Sequence, residues 1–382
     1  MGVMQFDFTD YAGIEYDPKE GCLYLDSKTG MAFVKLMNVD QIDMKKVLDN
    51  MITSQFHKDS STYNNQTSYV NTLRAQALPP NLTMQDVTWE RAIKLEEYCV
   101  VANILLFELP PQPLNITWGE NKVKSTHEEA TYAYEQLASY YSILALKEVR
   151  KNTSESFKKA IEFFQRSIGA FTVSDELANE CNRREKWDKE NDVLKIIRAT
   201  MFTQCHELEF KKSLKDKISS ENSFMMAKKT HDCYAWLTMA TKHSMNYDEI
   251  AVIDVFEFKT DYYRCIVYTY GAINSLKRDK YGEAIGCFQK CLSIIDGTFE
   301  KMFDEIPEFE VITNDLTKLR EKITENLTKC KYENDTKHKQ KIQTFRNFKI
   351  QDFQTTDVIY PKIEDFGIEE RLQNLFADLE SY

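Results

Sequence analysis

Apolar positions recur at three- and four-residue intervals from about Gln41 almost to the end of the chain, and before that point they do not. Near the start, CLYLD (Cys22–Asp26) and MAFVKL (Met31–Leu36) are short β-prone runs separated by a turn signal, which predicts a small N-terminal hairpin or sheet. A first helix is predicted over Ile42 to Phe56. A second runs from about Met84 to Leu106, with Trp89, Ile93, Leu95, Tyr98, Val101 and Ile104 on its buried side. The three prolines of LPPQPLNITW, ending at Trp118, then break the helix. Helices are predicted next over Thr126–Val149 and from an N-cap signal at Asn152-Thr-Ser-Glu155. Further helices are predicted over roughly Lys189–Asp216, Glu221–His243, Ile250–Leu276, Tyr281–Phe303 and Asn314–Tyr332. From Lys337 the pattern reads as extended, and its aromatics predict a tail laid back along the helices.

Two of these helices are near copies. Phe157–Phe171 reads FKKAIEFFQRSIGAF and Tyr281–Ile295 reads YGEAIGCFQKCLSII, sharing Ala-Ile, Phe-Gln and a following base at equivalent places. A one-sided apolar stripe with a small Ala within it suits the second helix of a helical hairpin of the tetratricopeptide kind, an architecture that usually binds proteins. The copies start 124 residues apart, which a 34-residue repeat does not divide, so a regular solenoid is not expected.

Only 11 Gly and 8 Pro among 382 residues disfavour an all-β or linker-rich design, and the apolar content suffices for a substantial core. A net charge of −11 argues against a general nucleic-acid binder, although Lys211, Lys212, Lys215 and Lys217 form a local basic run. That run reads either as a solvated face or as a contact for acidic lipid or an acidic helix. No signal peptide or apolar run long enough to span a bilayer is found, so the nine cysteines read as reduced cytosolic thiols. Membrane recruitment is then expected through a partner or a surface.

Four strings in order carry a family resemblance. They are LPPQPLNITW with EEATYAYEQLASYYSILA, then FQRSIGAF, then MFTQCHELEFKKSLKDK (Met201–Lys217), and finally KYGEAIGCFQKCL with DVIYPKIEDF. In these the chain resembles, along nearly its full length, the Bro domain shared by Alix and its relatives. The resemblance implies an all-α, boomerang-shaped domain spanning 1–382, with a strand region at 1–38, a tetratricopeptide-like helical core at 41–335 and a C-terminal arm at 336–382. It implies a monomeric, non-catalytic adaptor without cofactors, in the cytoplasm and recruited to endosomes or other membranes. The implied partner is the C-terminal amphipathic helix of the filament-forming ESCRT-III subunit (charged multivesicular body protein four type), in multivesicular body sorting and membrane scission. Carried over by position, Lys158, Phe210, Lys212 and Met226 match the family's partner groove, and Phe224 or Met225 compensates for mismatches nearby. Those mismatches are polar: Glu209 and Asn222 stand where the family has apolar contacts, and Ser154 stands at an acidic position with Glu155 next to it. They leave open a peptide-binding scaffold of the same ancestry acting outside ESCRT, in pH signalling or adhesion. Tyr360 matches a tyrosine that is phosphorylated in some relatives; its other reading is a packed residue of the arm.

No Ser-His-Asp set or Gly-rich phosphate loop is legible. Cys287 and Cys291 lie one turn apart and His206 follows Cys205, but four convergent ligands are lacking, so these read as core residues. Phe224, Met225 and Met226 also read first as core, yet three consecutive apolar residues on a helix cannot share one side, so one of them is expected at the surface.

Overall fold

The computed structural model describes residues 23–26, 29–104, 111–119, 121–180, 184–243, 253–302, 310–344 and 356–361. Among them, ten α-helices and two short hairpins account for most of the chain. β1 (Leu23–Asp26) and β2 (Met31–Val34) form the expected N-terminal hairpin, closed by Gly30 N–H on the Asp26 carbonyl at 2.8 Å. The residues before Leu23, and therefore most of the expected 1–38 strand region, lie outside the described residues.

The predicted helices appear with trimmed ends. α1 is Met44–Ser54, where the Asp43 side chain accepts from Lys46 N–H and so satisfies a first-turn donor. α3 is Trp89–Ala102; it starts later than expected because Thr88 caps it and Met84–Asp86 is a separate 3₁₀ turn. α4 (Thr126–Val149) agrees with the predicted span. α5 (Ser154–Glu180) carries the first twin, and Thr153 and Ser156 exchange side-chain-to-backbone hydrogen bonds at its start. α6 (Arg184–Lys215), α7 (Ser220–His243), α8 (Ile253–Leu276), α9 (Tyr281–Met302, the second twin) and α10 (Glu310–Glu333) complete the order.

Two elements differ from the sequence reading. A helix, α2 (Asn64–Ala77), precedes α3; it buries Thr67, Val70, Leu73, Arg74 and Ala77, a helical spacing whose apolar character is broken by Thr and Arg. The proline-rich stretch is also more than a helix breaker. β3 (Pro113–Trp118) pairs antiparallel with β4 (Asn121–Ser125), with Trp118 opposite Asn121 and Ile116 opposite Val123. Proline is tolerated there because it is the first residue of the strand.

The chain forms two compact units. One comprises 34–144, 163–194 and 357–382. Its centre is the buried Glu129 carboxylate, which accepts from Arg74 Nε (2.8 Å), Tyr98 Oη (2.9 Å) and Trp118 Nε1 (2.7 Å). α2, α3, β3 and α4 are thereby joined at one group, with burial and the fixed ion pair requiring every donor to be in place. The other unit comprises 1–33, 145–162 and 195–356. There Gln204 of α6 takes both backbone groups of Ala32 on β2, so a two-stranded sheet edge is satisfied by a helix side chain. Aromatic rings fill its core: Phe210 stands edge-on to Tyr263 and Tyr270, and Tyr263 stacks on Tyr234 at 5.7 Å.

The described parts of the tail do lie on helices. Ile359 N–H donates to the Gln165 carbonyl of α5 (3.3 Å), and Gln343 N–H donates to the Gly282 carbonyl of α9 (3.1 Å). At both crossings the helix presents a glycine. A Cβ on Gly169 would fall inside contact distance of the Ile359 carbonyl, and one on Gly282 would meet the Lys341 carbonyl.

Candidate functional site

The residues picked out by the sequence fall on α5, α6 and α7 of the 1–33/145–162/195–356 unit. Ser154 and Lys158 sit one turn apart at the start of α5, and Lys158 is exposed. Glu209 and Lys212 lie one turn apart on α6, and Asp216, directly after its last residue, continues the row with its N–H on the Lys212 carbonyl (2.9 Å). The row meets α5 at Asp216, whose carboxylate takes hydrogen bonds from Lys212 and Ser154, and these hold it below the ordinary Asp range. α7 joins α6 where Thr230 Oγ1 donates to the His206 carbonyl at 3.1 Å.

On α7, Asn222 is exposed, Met226 is half-buried and Met225 is 63% exposed. One of the three consecutive apolar residues is therefore at the surface, as helical geometry requires. At about 100° per residue, Asn222, Met225, Met226 and Lys229 share one side of α7. Phe224 lies about 200° from Met226 and is half-buried on the other side, so it does not join this face. Phe210 needs a larger correction. It is only 1% exposed, its ring enclosed by Tyr263 and Tyr270, and it is a core residue with no surface to offer a partner. Met225 and Met226 remain as an apolar strip with Lys229 on the same side of α7, while Lys212 stands on α6 and Lys158 at the start of α5.

Glu209 is bound into this face. Burial raises its pKa, but a hydrogen bond with His206 (Nδ1 to Oε2, 3.0 Å) and the electrostatic pull of His206 and Lys229 bring it below the ordinary Glu range. The carboxylate of α6 is thus held by His206 of its own helix and lies within electrostatic reach of Lys229 on α7. Sequence reading missed Lys229; its signal was its position three residues after Met226 and four after Met225, on the same helical side.

Directly behind the face lies a second charged group. Glu207 is 2% exposed, and its oxygens meet Lys211 Nζ at 2.7 Å and Lys259 Nζ at 2.8 Å, with Tyr234 Oη also donating to it. Burial would raise its pKa, but two ammonium groups outweigh that and hold it at about 2. Lys259 is pushed down to about 8 by burial and by Lys211, against the pull of Glu207. One carboxylate shared by two lysines accounts for both directions.

Tyr360 is 48% exposed next to the Ile359 anchor, so it is not a packed arm residue. The cysteines considered as ligands are buried: Cys205 faces the Ile161 carbonyl, and Cys265 and Cys291 each lie against the other's backbone carbonyl. Burial lifts the Cys287 thiol to about 12. Among the described residues no group of three or more His, Cys, Asp or Glu converges as metal ligands do, and no helix is long and apolar enough to cross a membrane.

A family model described as BRO1-like domain matches residues 31–382. The chain belongs to the BRO1-like domain family. Among curated proteins it is 23% identical over 325 residues to the pH-response regulator protein palA/RIM20 of Debaryomyces hansenii, covering 80% of this chain and 41% of that protein. The chain thus spans about two-fifths of the length of that relative. Among solved structures, an ALIX BRO1 CHMP4C complex matches with a TM-score of 0.72 at 18% identity, covering 88% of this chain and 98% of that one. A structure described as the basis for endosomal targeting by the Bro1 domain matches with a TM-score of 0.66 at 15% identity, covering 95% and 98%. At these identities the likeness establishes the all-α BRO1 fold.

Proposed function

We propose that this BRO1-like chain is a non-catalytic adaptor whose α5–α6–α7 face binds the C-terminal amphipathic helix of a filament-forming ESCRT-III subunit, recruiting the protein to endosomal membranes. The observation that carries the reading is Met225, a large apolar side chain 63% exposed beside Met226, with Lys229 on the same side of α7 and an exposed Lys158 at the start of α5. An acidic amphipathic helix supplies apolar side chains to cover the methionines and a carboxylate to meet Lys158. The similar ALIX BRO1 CHMP4C complex supports the choice of partner. In this reading 1–382 acts as one BRO1 domain, with 1–38 as strand region, 41–335 as helical core and 336–382 as an arm that presents Tyr360 for phosphorylation. The protein works as a monomer.

Fluorescence anisotropy with the labelled ESCRT-III C-terminal peptide tests it. Met226→Asp is expected to weaken binding at least tenfold, and Lys158→Glu severalfold, about 1–3 kcal/mol each at an interface centre. No detectable binding by the unsubstituted chain at high micromolar peptide would remove the contact. Phe210→Asp is not a test of the face, because it disrupts the core. For Tyr360, treatment with a tyrosine kinase followed by mass spectrometry is expected to modify the native chain and not the Tyr360→Phe variant.

A second reading has its own observation. Glu209 is held between His206 and Lys229 where an apolar contact is needed, and the palA/RIM20 relative is a pH-response regulator. On that reading the face takes a different peptide, in pH signalling. Glu209→Leu separates the two: it tightens the ESCRT-III peptide if that peptide is the ligand, and leaves it unbound if it is not.

A further inference from the structure

In a chain of net charge −11, one end of the 1–33/145–162/195–356 unit is basic. The α4–α5, α6–α7 and α8–α9 turns and the hook after α10 are tied into a row. Ser154 at the first turn bonds Asp216 at the second. Lys277 at the third donates to Ser220 at the second, and Gln340 Nε2 of the hook donates to the Asp279 carbonyl at the third (2.7 Å). Residues 150–159, 211–221, 277–283 and 333–341 together hold fourteen Lys and Arg against seven Asp and Glu. Asp216, Glu283 and Glu333 are already matched by Lys212, Lys280 and Lys337. Lys215, Lys217, Lys277, Arg278, Lys339 and Lys341 are exposed, and no ion pair involves them among the described residues.

Each member of the row carries one left-handed non-glycine residue, Asn152 (φ 53°), Lys217 (φ 54°), Asp279 (φ 55°) and Lys339 (φ 48°), and two of the four are lysines. Two exposed apolar groups accompany the cations: Tyr332 on the last turn of α10, 70% exposed, and Ile342 beside Lys341, 42% exposed.

We propose that this row of turns docks the protein on an anionic lipid bilayer, the lysines and arginine meeting headgroup phosphates and carboxylates while Ile342 enters the interface. Turns at the ends of hairpins present projecting points suited to a plane, whereas a peptide needs a groove to lie in. A nucleic acid would meet the phosphate requirement but gain nothing from Ile342 and Tyr332. Lys158 and Lys212 fall within the counted segments, but the substitutions that test the inference touch neither of them nor Met226.

The full chain is sedimented with vesicles of phosphatidylcholine alone or with about 30 mol% phosphatidylserine, at about 0.05 to 0.3 M salt. Binding is expected to the anionic vesicles only, and to fall as salt rises. Each cation near an anionic leaflet contributes on the order of a fivefold gain in partition, so the quadruple variant K215E/K217E/K277E/R278E is expected to lose at least about 100-fold. Ile342→Asp is expected to lose severalfold. The quadruple variant keeps the melting temperature of the unsubstituted chain, which shows it folded; if it does not, the K215Q/K217Q/K277Q/R278Q set gives the same loss in smaller measure. Absent binding, equal binding to neutral vesicles, a quadruple variant that binds like the unsubstituted chain, or displacement from vesicles by equimolar duplex DNA would each overturn the proposal.

Discussion

Glu207 is buried and ionised at once, and its dependence on two lysines makes it a pH-sensitive part of the fold. Its pKa of about 2 lies below the ordinary 4.5, so the stabilisation is present in full above about pH 4.5 and is lost as pH falls toward 2. The linked contribution is about 3 kcal/mol. Glu207→Gln is expected to be less stable at pH 7 and to show a flatter decline between pH 4.5 and 2, followed by urea unfolding at fixed pH values. Equal acid slopes in the two proteins would mean that other carboxylates dominate. Removing one lysine is a different perturbation: Lys259→Met leaves Glu207 with Lys211 alone and Tyr234 with one partner fewer, expected to cost about 3 kcal/mol. This neighbourhood also shows why sites were only partly legible. Gln204, His206, Glu207 and Glu209 place polar groups on several sides of α6, so no apolar stripe reveals how the helix is turned. Phe210, matched to the partner groove by the family resemblance, accordingly met no local pattern that would have turned it toward the core, where it lies. In the run Phe224–Met226 helical geometry requires one residue at the surface without saying which, and Met225 is the one there.

Elements were legible where burial is apolar and periodic, as in α4, α5 and α9. They were hidden where a polar side chain occupies a core position. α2 fails the apolar pattern because Arg74 is buried by its pairing with Glu129, a residue 55 positions away that no local window includes. The β3–β4 hairpin was masked by its leading prolines, although the run from Ile116 through Trp118 and across a tight turn to Val123 alternates as a hairpin should. The tail's placement was legible from its aromatics, but its two crossing points were not, since a helical glycine is conspicuous only once the tail lies against it. Gly169→Ala tests that role. Alanine improves helix propensity by up to about 1 kcal/mol, so α5 itself should not suffer. The tail must move, however, because the new methyl meets the Ile359 carbonyl. Faster limited proteolysis after residue 344 with little change in melting temperature is expected; unchanged proteolysis would show that the tail is not held there. Lys217→Gly works the other way at a helix end, relieving a left-handed residue and raising stability by up to about 1 kcal/mol in thermal unfolding.

At the scale of the molecule, the charge is unevenly distributed. The four basic segments hold twice as many cations as anions while the whole chain carries −11, so the remainder is strongly acidic. Net charge of one sign keeps copies apart, which favours a monomer of 44.8 kDa. A basic row on an acidic body also allows one copy's row to meet another's acidic surface. Such contacts are head-to-tail, do not close, and depend on unscreened charge. At physiological salt the screening length is about 8 Å and they are weak; at about 0.01 M it reaches about 30 Å. Sedimentation equilibrium is therefore expected to give a single species near 44.8 kDa at about 0.15 M salt, independent of protein concentration. At about 0.01 M salt the weight-average mass should rise with concentration, and K215E/K217E/K277E/R278E should abolish the rise. A discrete dimer that persists at high salt would point instead to an apolar self-contact, with Met225 as the first residue to substitute.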